Sequence, residues 1–595
     1  MTLFIRFSEY FLLLLAIHWL SCQVKESISK EAEKPNIILI LTDDQGWGDL
    51  SMNGNQHIST PNIDKLAADG AVMENFYVSP VCSPTRAEIL TGRFSPRSGV
   101  YSTSAGGERI DLDETTIADI LKSNGYATAA FGKWHSGMQY PYHPNGRGFE
   151  EFYGFCSGHW GNYFSPMLEH NGNITKGEGY IIDDLTDKAI DFINEKKASP
   201  FFVYLPYNTP HSPMQVPDKW YKKFENIEIS QRGSEADKEN MEHTKAALAM
   251  CENIDWNVGR IQSRIRELNL EENTIIIYLS DNGPNGHRWN GDMKGIKGST
   301  DEGGVKSPLI IQWKNKIEAG LRIKKIASSI DLLPTISEYA SITPFTNNPL
   351  DGKSIAPLLD QKNENWSERY VYNYWKGKLS IRSQRFRLDH QDQLFDMETD
   401  PSQATDVSIE YATEKTEMMV AKEFYQNEVL TELPKNDSRH FTIGHRDYKY
   451  TQIPARDGTA HGNIIRSNRW PNCSFFTNWT DIEDRISWKV SVEESGDYDV
   501  VLYYTCAEEN VGTTISLTFG DTHISQTIKE AHDPLLTGME NDRGEPRAES
   551  FVKDFKPFKL GRIYLAQGSG ELILKSEEIV GGKSIDFRLM MFEKV

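Results

Sequence analysis

The sequence predicts an α/β fold, with helices flanking a mainly parallel sheet, followed by a small α+β region and an all-β sandwich. Over residues 35–344, short continuous apolar runs alternate with helical patterns, as in strands that are buried on both faces of a parallel sheet. Residues 345–433 contain short strand patterns and form the α+β region. After Pro434, short alternating segments separated by turns are typical of a β-sandwich, which we place at residues 434–595.

The first 22 residues have the pattern of a signal peptide. Arg6 precedes the apolar run Tyr10–Leu20, which is too short to span a bilayer. The end of this segment resembles the cleavage box of bacterial lipoproteins, with Cys22 as the acylated residue; the alternative is plain secretion without a lipid. The polar residues 23–34 are predicted to be a linker. We therefore expect export to the periplasm or cell surface of a bacterium, with membrane contact only through an N-terminal lipid.

Four predicted strands in the α/β region share one feature, because each is followed by polar or ionisable residues. In open α/β sheets the ligand crevice lies beyond the carboxyl ends of the strands, so these residues are candidates for one site. The strands and the residues that follow them are Asn36–Leu41 with Asp43 and Asp44, Ala127–Phe131 with Lys133 and His135, Phe201–Leu205 with His211, and Thr274–Leu279 with Asp281 and Asn282. Helical patterns lie between them at Pro61–Ala68, Thr116–Ser123 and Glu242–Leu268.

Strand patterns in the two later regions are shorter. They are Asn373–Trp375, Ile381–Arg382 and Leu394–Asp396 in the α+β region, and Tyr498–Tyr504, Thr514–Phe519, Ile563–Leu565 and Glu571–Leu574 in the sandwich, the last preceded by a predicted turn at 568–570. Three tryptophans of the sandwich, Trp470, Trp479 and Trp488, either form a sugar-binding platform or belong to the core, and core is the expected role of at least one.

The charge balance excludes several classes of partner. The chain has 595 residues, with 64 basic and 85 acidic side chains and a net charge of −21, so general binding to nucleic acid or to an anionic membrane is not expected. An anionic substrate would need a local basic pocket. The six cysteines are too few and too scattered for a disulfide scaffold or a zinc cluster. Cys473 and Cys506 lie in the same region, and the sequence does not decide whether they pair.

The sharpest local signal is the segment of residues 82–93, CSPTRAEILTGR. Pro84 suits the first turn of a helix, which places Cys82 at the helix N-terminus, where free N–H groups favour an anion. Arg86 follows four residues later and can share a face with Cys82. A potential nucleophile thus lies beside a cation at an anion-binding end. The alternative is a buried structural cysteine that precedes a helix.

This segment resembles the signature of the type I sulfatases, in the alkaline-phosphatase-like superfamily, and the resemblance extends over residues 35–430 by the order and spacing of motifs. It implies that a maturation enzyme converts Cys82 to formylglycine (3-oxoalanine), whose hydrate supplies the attacking oxygen. It also implies that Lys133, His211 and Lys297 contact the sulfate group and that His135 helps to cleave the intermediate, while Arg86 supplies positive charge where negative charge develops. Lys294 is a rival to Lys297, but the spacing to Glu302-Gly303-Gly304 favours Lys297.

The resemblance implies a metal site made by Asp43, Asp44, Asp281 and Asn282 together with the hydrated residue 82. Such a set offers only oxygen ligands, which argues for one Ca²⁺ ion, with Mg²⁺ as the second choice. Asn282 is the discriminating residue, because phosphatases and phosphodiesterases of the superfamily have Asp-His at this position and build two-metal sites suited to zinc or manganese.

A glycine-rich segment after the second predicted strand contains candidate sugar contacts. His159, Trp160 and Asn162 lie where many sulfatases place substrate-side residues, and aromatic rings can stack on sugars. The alternative, a structural glycine-rich loop, has equal standing.

These observations predict a calcium-dependent sulfuric ester hydrolase that removes O-sulfate from a carbohydrate. An algal polysaccharide such as ulvan is the favoured substrate, while glycosaminoglycans and carrageenan remain open. Two alternatives are a phosphonate or phosphate ester hydrolase of the same superfamily and a non-catalytic glycan-binding lipoprotein.

Overall fold

The structure is a computed structural model that describes residues 34–362, 366–544 and 547–595. The predicted signal peptide, with Cys22, and residues 23–33 of the predicted linker lie outside the described residues. In the described part of the chain, no helix combines the length and the apolar character needed to cross a membrane.

A ten-stranded mixed sheet organises the first half of the described chain. Its strands, in the order β10-β2-β9-β8-β1-β7-β3-β4-β5-β6, are β1 (Asn36–Thr42), β2 (Ala71–Tyr77), β3 (Ala127–Lys133), β4 (Glu151–Phe155), β5 (Met167–His170), β6 (Asn173–Lys176), β7 (Phe201–Pro206), β8 (Thr274–Ser280), β9 (Lys306–Trp313) and β10 (Leu321–Ser328). The central strands β8, β1, β7, β3 and β4 are parallel to one another. This confirms the predicted parallel sheet at its centre and all four predicted strands.

Antiparallel pairing occurs on both sides of this parallel centre, while the edge strand β10 pairs parallel with β2. β9 runs against both β2 and β8, and β5 and β6 form a hairpin beside β4. The side chains of β1 alternate between two hydrophobic clusters, with Ile38 and Ile40 on one face and Ile37, Leu39 and Leu41 on the other. Burial on both faces explains why this strand has a continuous apolar run rather than an alternating one.

Helices cover both faces of the sheet. They are α1 (Pro61–Ala68), α2 (Cys82–Thr91), α3 (Ile117–Ser123), α4 (Ile181–Lys196), α5 (Asp218–Glu225), α6 (Met241–Glu267), α7 (Glu302–Val305), α8 (Leu332–Tyr339) and α9 (Ala356–Leu359). The three predicted helices are confirmed within one residue at each end. Thr116 is the N-cap of α3 and forms a capping box with Asp119, and the Asn240 side chain caps α6.

The α+β region is a four-stranded antiparallel sheet packed against one helix. Its elements are β11 (Val371–Trp375), β12 (Lys378–Arg382), β13 (Phe386–Leu388), β14 (Leu394–Asp396) and α10 (Ala412–Phe424). Ile381, Leu388 and Met418 form the centre of its small core. The predicted bounds of this region and of its neighbours remain predictions.

The C-terminal region is a sandwich of two six-stranded sheets, as predicted. One sheet contains β15 (Phe441–Ile443), β17 (Thr459–His461), β20 (Arg485–Val492), β22 (Thr514–Phe519), β23 (Thr522–Thr527) and β25 (Gly568–Glu578). The other contains β16 (Tyr450–Pro454), β18 (Ile465–Arg466), β19 (Phe476–Thr477), β21 (Gly496–Thr505), β24 (Lys556–Leu565) and β26 (Asp586–Lys594). The predicted turn at 568–570 instead begins β25, since these residues pair with β20.

The tryptophans and cysteines of the sandwich have different surroundings. Trp479 and Trp488 are buried in the core between the two sheets, whereas Trp470 is 47% exposed. The prediction that all three tryptophans form a sugar-binding platform is therefore wrong, because Trp479 and Trp488 belong to the core. Cys473 and Cys506 are separate buried thiols, so the structure contains no bond between them.

Candidate active site

Neighbouring parallel strands bring the two predicted metal-binding pairs together. β1 and β8 are in register from Asn36 and Thr274 to Thr42 and Ser280, so the residues that follow them emerge side by side. The backbone N–H of Asp44 donates to Asp281 Oδ1 at 3.2 Å. Asp43, Asp44, Asp281 and Asn282 are all fully buried at this edge of the sheet.

Cys82 joins this group from the first residue of α2. The preceding residue, Val81, is extended, so the helix begins at the cysteine as predicted. The sulfur of Cys82 and one carboxylate oxygen each of Asp43 and Asp281 lie within 4.8 Å of one another. Cys82 is only 3% exposed. The structure thus places residue 82 against two of its predicted metal partners.

Arg86 is a buried cation one helical turn beyond Cys82. Its Nε and Nη2 donate to Asp281 Oδ2 at 3.2 and 2.8 Å, and its Nη1 donates to the Lys133 carbonyl oxygen at 2.8 Å. Burial raises the pKa of Asp281 well above its ordinary value, and the nearby Asp43 carboxylate raises it further, while Arg86 opposes both effects. A divalent cation at this position would remove the repulsion between the two carboxylates.

Two lysines approach the other carboxylates. Lys133 Nζ is 2.7 Å from Asp43 Oδ2, and Lys297 Nζ is 2.7 Å from Asp44 Oδ1. Burial by itself would raise the pKa of Asp43 and Asp44, but the surrounding cations lower both pKa values below the ordinary range. Both acids are therefore held ionised, as metal ligands must be. Lys297 rather than Lys294 reaches the site, since Lys294 lies near Asp301.

His211 and His135 occupy different positions around this cluster. His211 Nε2 is 3.6 Å from Asp44 Oδ2, and its Nδ1 donates to the Ser212 carbonyl oxygen at 2.5 Å. His135 Nε2 is 2.8 Å from the Thr103 carbonyl oxygen, so that nitrogen carries a hydrogen. The Nδ1 of His135 is buried and has no hydrogen-bond partner.

The protonation state of His135 follows from its surroundings. Burial lowers the pKa of His135 well below 6.5, and the neighbouring Lys133 lowers it further. The ring is therefore neutral at pH 7, with Nδ1 as its free basic nitrogen. β3 ends at Lys133, and His135 has a φ of 59°, so strand alternation does not place the two side chains as predicted.

The donor set fits a hard divalent cation. Asp43 Oδ1 and Asn282 Oδ1 are buried oxygens that accept no hydrogen bond. Asn282 is oriented because its Nδ2 donates to Asp44 Oδ1 at 2.8 Å and to the Gly283 carbonyl oxygen at 2.9 Å, which leaves its oxygen for another partner. Unsatisfied carboxylate and amide oxygens among buried acids are the ligands that Ca²⁺ and Mg²⁺ prefer.

The predicted sugar contacts differ in how they are engaged. The His159 ring stacks on His211 at 5.8 Å and has a buried Nε2 without a partner. Trp160 stacks on Phe155 at 5.0 Å. Asn162 exchanges hydrogen bonds with the backbone of Phe164, which is a local turn. His159 therefore borders the site directly, and the substrate roles of all three residues remain predictions.

Two further residues support the site: Arg288, which the sequence suggests only as a possible sugar contact or part of a structural loop, and Glu549, which it does not suggest. Arg288 forms an ion pair with Asp49 at 2.6 Å and donates to the Asp44 carbonyl oxygen at 3.1 Å, which supports the turn after β1. Glu549, from the sandwich, accepts a 2.5 Å hydrogen bond from Ser212 Oγ and lies 3.9 Å from His211 Nδ1. The C-terminal region thus contributes to the surroundings of the site, and no local sequence pattern signals this.

Comparisons with known proteins match the part of the chain that contains this site. A family model described as Sulfatase matches residues 35–342, and one described as N-sulphoglucosamine sulphohydrolase, C-terminal, matches residues 297–430. The N-acetylgalactosamine-6-sulfatase of Canis lupus familiaris is 32% identical over 365 residues, which cover 55% of this chain and 66% of that protein. Arylsulfatase A of Homo sapiens is 33% identical, covering 55% and 68%. The chain thus spans about two thirds of the length of these curated relatives.

A solved structure gives similar support. The crystal structure of Ps i-CgsB in complex with k-i-k-neocarrahexaose is 34% identical to this chain, with a TM-score of 0.61, and the match covers 67% of this chain and 95% of that one.

Proposed function

The chain belongs to the sulfatase family, and from this premise we propose that it is a sulfuric ester hydrolase that removes O-sulfate from a carbohydrate. The observation that carries the proposal is the position of Cys82, buried at a helix N-terminus beside Asp43 and Asp281, whose carboxylates pair with Lys133 and Arg86. Hydrolysis of a sulfate ester requires cationic groups around the sulfate, because its oxygens gain negative charge as the S–O bond breaks.

The nucleophile in this proposal is the formylglycine that a maturation enzyme would make from Cys82. One hydroxyl of its hydrate loses its proton to solvent and attacks sulfur, the bond from sulfur to the sugar oxygen breaks, and the SO3 group stays on the oxygen of residue 82. Lys133, His211 and Lys297 bind the sulfate oxygens, Arg86 supplies positive charge from its ion pair with Asp281, and Lys297 protonates the leaving sugar oxygen. Asp43, Asp44, Asp281 and Asn282 would hold a Ca²⁺ ion, with Mg²⁺ as second choice, and such an ion supplies positive charge that favours the ionised hydroxyl.

His135 is the base of the second step. Its neutral ring and unpartnered Nδ1 suit removal of the proton from the remaining hydroxyl of residue 82. The bond between the residue 82 carbon and the sulfate oxygen then breaks, which releases sulfate and restores the aldehyde. The hydrogen bond from Nε2 to the Thr103 carbonyl oxygen fixes the tautomer that this step requires.

We expect His135→Ala to stop the reaction after sulfate transfer. The variant should release one equivalent of a chromogenic phenol from an aryl sulfate and then turn over about 10²-fold more slowly, since the elimination step has lost its base. Mass spectrometry of the tryptic peptide of residues 66–86 should detect bound sulfate. His445→Ala, which changes a histidine outside the site, should show normal turnover. A slow variant without the initial release would contradict this role.

Glu549 is proposed to position the segment that carries His211. We expect Glu549→Ala to lower kcat for an aryl sulfate about tenfold, because Ser212 loses its buried acceptor and His211 its neighbour. Glu549→Gln keeps an acceptor oxygen and should recover most of the rate. Glu540→Ala, in the same segment but exposed, is the control. Wild-type kcat in Glu549→Ala would contradict the proposed role.

We propose that the enzyme is exported and that its substrate is an algal sulfated polysaccharide or oligosaccharides derived from it. The sequence favours ulvan, and the similarity to Ps i-CgsB, solved with k-i-k-neocarrahexaose, supports the algal class. Export, with Cys22 as a lipid attachment point, belongs to the same proposal. This proposal is tested by measuring the sulfate released from defined oligosaccharides of ulvan and carrageenan and from oligosaccharides that contain N-acetylgalactosamine 6-sulfate. Release only from those with N-acetylgalactosamine 6-sulfate would overturn the algal assignment.

Hydrolysis rates of an aryl sulfate, an aryl phosphonate and an aryl phosphate distinguish a sulfatase from the related phosphonate and phosphate ester hydrolases. We expect aryl sulfate to be the preferred substrate, since Asn282 stands where a histidine would support a second metal ion. Faster hydrolysis of the phosphorus esters would reverse the assignment, and no hydrolysis of any ester would favour a non-catalytic glycan-binding protein.

A further inference from the structure

A cavity of about 810 Å³ lies between the α/β region and the β-sandwich. One wall is the loop of residues 101–109, a second is the connecting segment 437–441, and the third consists of sandwich residues between 456 and 489 together with Glu571. The same loop borders the candidate active site, because the Thr103 carbonyl oxygen accepts the hydrogen bond from His135. The cavity therefore lies behind the loop that holds the proposed base.

The charge of this cavity is opposite to that of the chain. Six lining side chains are Arg or Lys and three are Asp or Glu, whereas acidic residues outnumber basic ones, 85 to 64, in the whole sequence. A concave basic surface on an acidic protein attracts anions locally while the rest of the surface repels them.

Two of the three acids are already paired with deep arginines. Asp437 contacts Arg439 at 2.9 Å and Arg109 at 3.4 Å, and Asp457 contacts Arg456 at 3.1 Å. Their charges are therefore compensated within the protein and do not cancel those of the remaining cations.

The remaining cations are Arg466, Arg469 and Lys489, and none of them forms an ion pair with a carboxylate of the described residues. Arg466 is half-buried and held in place, since it donates to the carbonyl oxygens of Ala455 and Gly458 and to Ser474 Oγ. Arg469 and Lys489 are exposed at the edge of the cavity. Lys489 lies opposite Glu571 where β20 pairs with β25. Of the three cations, Lys489 is therefore the one whose positive charge is partly offset, by the Glu571 carboxylate.

Aromatic surface accompanies these charges. Tyr101 lines the cavity and is 36% exposed. The guanidinium of Arg469 lies over the ring of Trp470 at 4.9 Å, and that ring is 47% exposed. An exposed aromatic ring offers an apolar face to a sugar ring, and the cation beside it can pair with an anionic group on that sugar.

We propose that this cavity binds a sulfated unit of the glycan at a distance from the bond being cleaved. The inference rests on the proposed sulfatase function, since an enzyme acting on a sulfated polymer meets sulfate groups on neighbouring sugars. Arg466 and Arg469 bind the sulfate oxygens through charge-assisted hydrogen bonds, and Tyr101 and Trp470 contact the sugar. The appended sandwich thus helps to bind the substrate polymer.

The test uses the full chain with Cys82→Ala, so that no sulfate is released during the measurement. Dextran sulfate, carboxymethyl dextran and dextran share one backbone and separate sulfate from carboxylate and from uncharged sugar. Affinity is measured by calorimetry for the parent and for Arg469→Glu/Lys489→Glu. The matched control is Arg446→Glu/Lys529→Glu, which changes the net charge equally at two exposed basic residues outside the cavity.

We expect the cavity variant to bind dextran sulfate about tenfold more weakly than its parent, and the control variant to lose less than about twofold. Arg469→Gln should give an intermediate loss, which shows that the effect is not repulsion alone. Equal losses in the cavity and control variants, or no loss in either, would overturn the proposal. Equal affinity for carboxymethyl dextran, with the same sensitivity to the cavity variant, would overturn its assignment to sulfate.

These outcomes are separable from the proposed catalytic function. Aryl sulfate turnover by the wild-type chain tests that function and requires no polymer. Turnover together with unchanged polymer binding by the cavity variant would reject the cavity alone.

Discussion

Replacing Cys82 by alanine is expected to abolish hydrolysis of sulfate esters, with kcat/KM for an aryl sulfate falling by about 10⁴-fold or more. Alanine cannot be oxidised to the aldehyde, so the attacking hydroxyl is lost while the metal ligands and the cations remain. The fold should be retained, because the substitution removes one sulfur atom and the charged partners of the site lie on other residues. A thermal unfolding midpoint close to that of the wild type checks this point.

Cys251→Ala is the matched control for this substitution. Cys251 is a fully buried thiol of α6 outside the site, so its loss should cost about 1 kcal/mol of stability and leave turnover unchanged. Turnover of Cys82→Ala at the wild-type rate would refute the mechanism. Cys82→Ser is a weaker test, because some maturation systems oxidise serine.

Removing divalent cations is expected to have the second largest effect. Dialysis against EGTA, which prefers Ca²⁺ to Mg²⁺, should reduce hydrolysis by about 10²-fold or more and lower the unfolding midpoint, because the buried carboxylates of Asp43 and Asp281 then repel each other. Adding Ca²⁺ should restore both properties, and Mg²⁺ should restore less. The midpoint is a readout that does not depend on activity, since a cation bound only to the folded state stabilises it.

Asn282→Ala and Asn285→Ala separate the metal site from general effects. Asn282 offers an unpartnered buried oxygen, whereas Asn285 donates to Ser212 Oγ and has no role in the ligand set. We expect the first variant to lose the Ca²⁺-dependent rise in the unfolding midpoint and the second to keep it. An unchanged rise in Asn282→Ala, or full activity after EGTA treatment, would contradict the assigned site.

The central sheet and the cluster of buried acids at its carboxyl edge could be predicted because local patterns determine them. A run such as Asn36–Leu41 indicates burial on both faces, and the polar residues after it must emerge at the carboxyl edge of the sheet. The register of β1 with β8 then brings Asp43 beside Asp281 without further information. Pro84 marks the start of the helix and so places Cys82 at its N-terminus, whereas the role proposed for Cys82 comes from the resemblance of residues 82–93 to the sulfatase signature.

Other features depend on contacts that leave no local pattern. β9 is an apolar run whether it runs parallel or antiparallel, so its reversed direction is not visible in the sequence. Alternation fails at His135 because the chain turns to a positive φ after Lys133. Glu549 lies 337 residues from Ser212, and only the packing of the sandwich on the α/β region brings them together.

The mass of the tryptic peptide of residues 66–86, taken from fully active protein, tests the proposed chemistry most directly. This peptide contains residue 82, and we predict that it carries an aldehyde in place of the thiol and that the aldehyde fraction follows the specific activity from one preparation to another. Full activity in protein whose residue 82 is entirely unmodified cysteine would contradict the account.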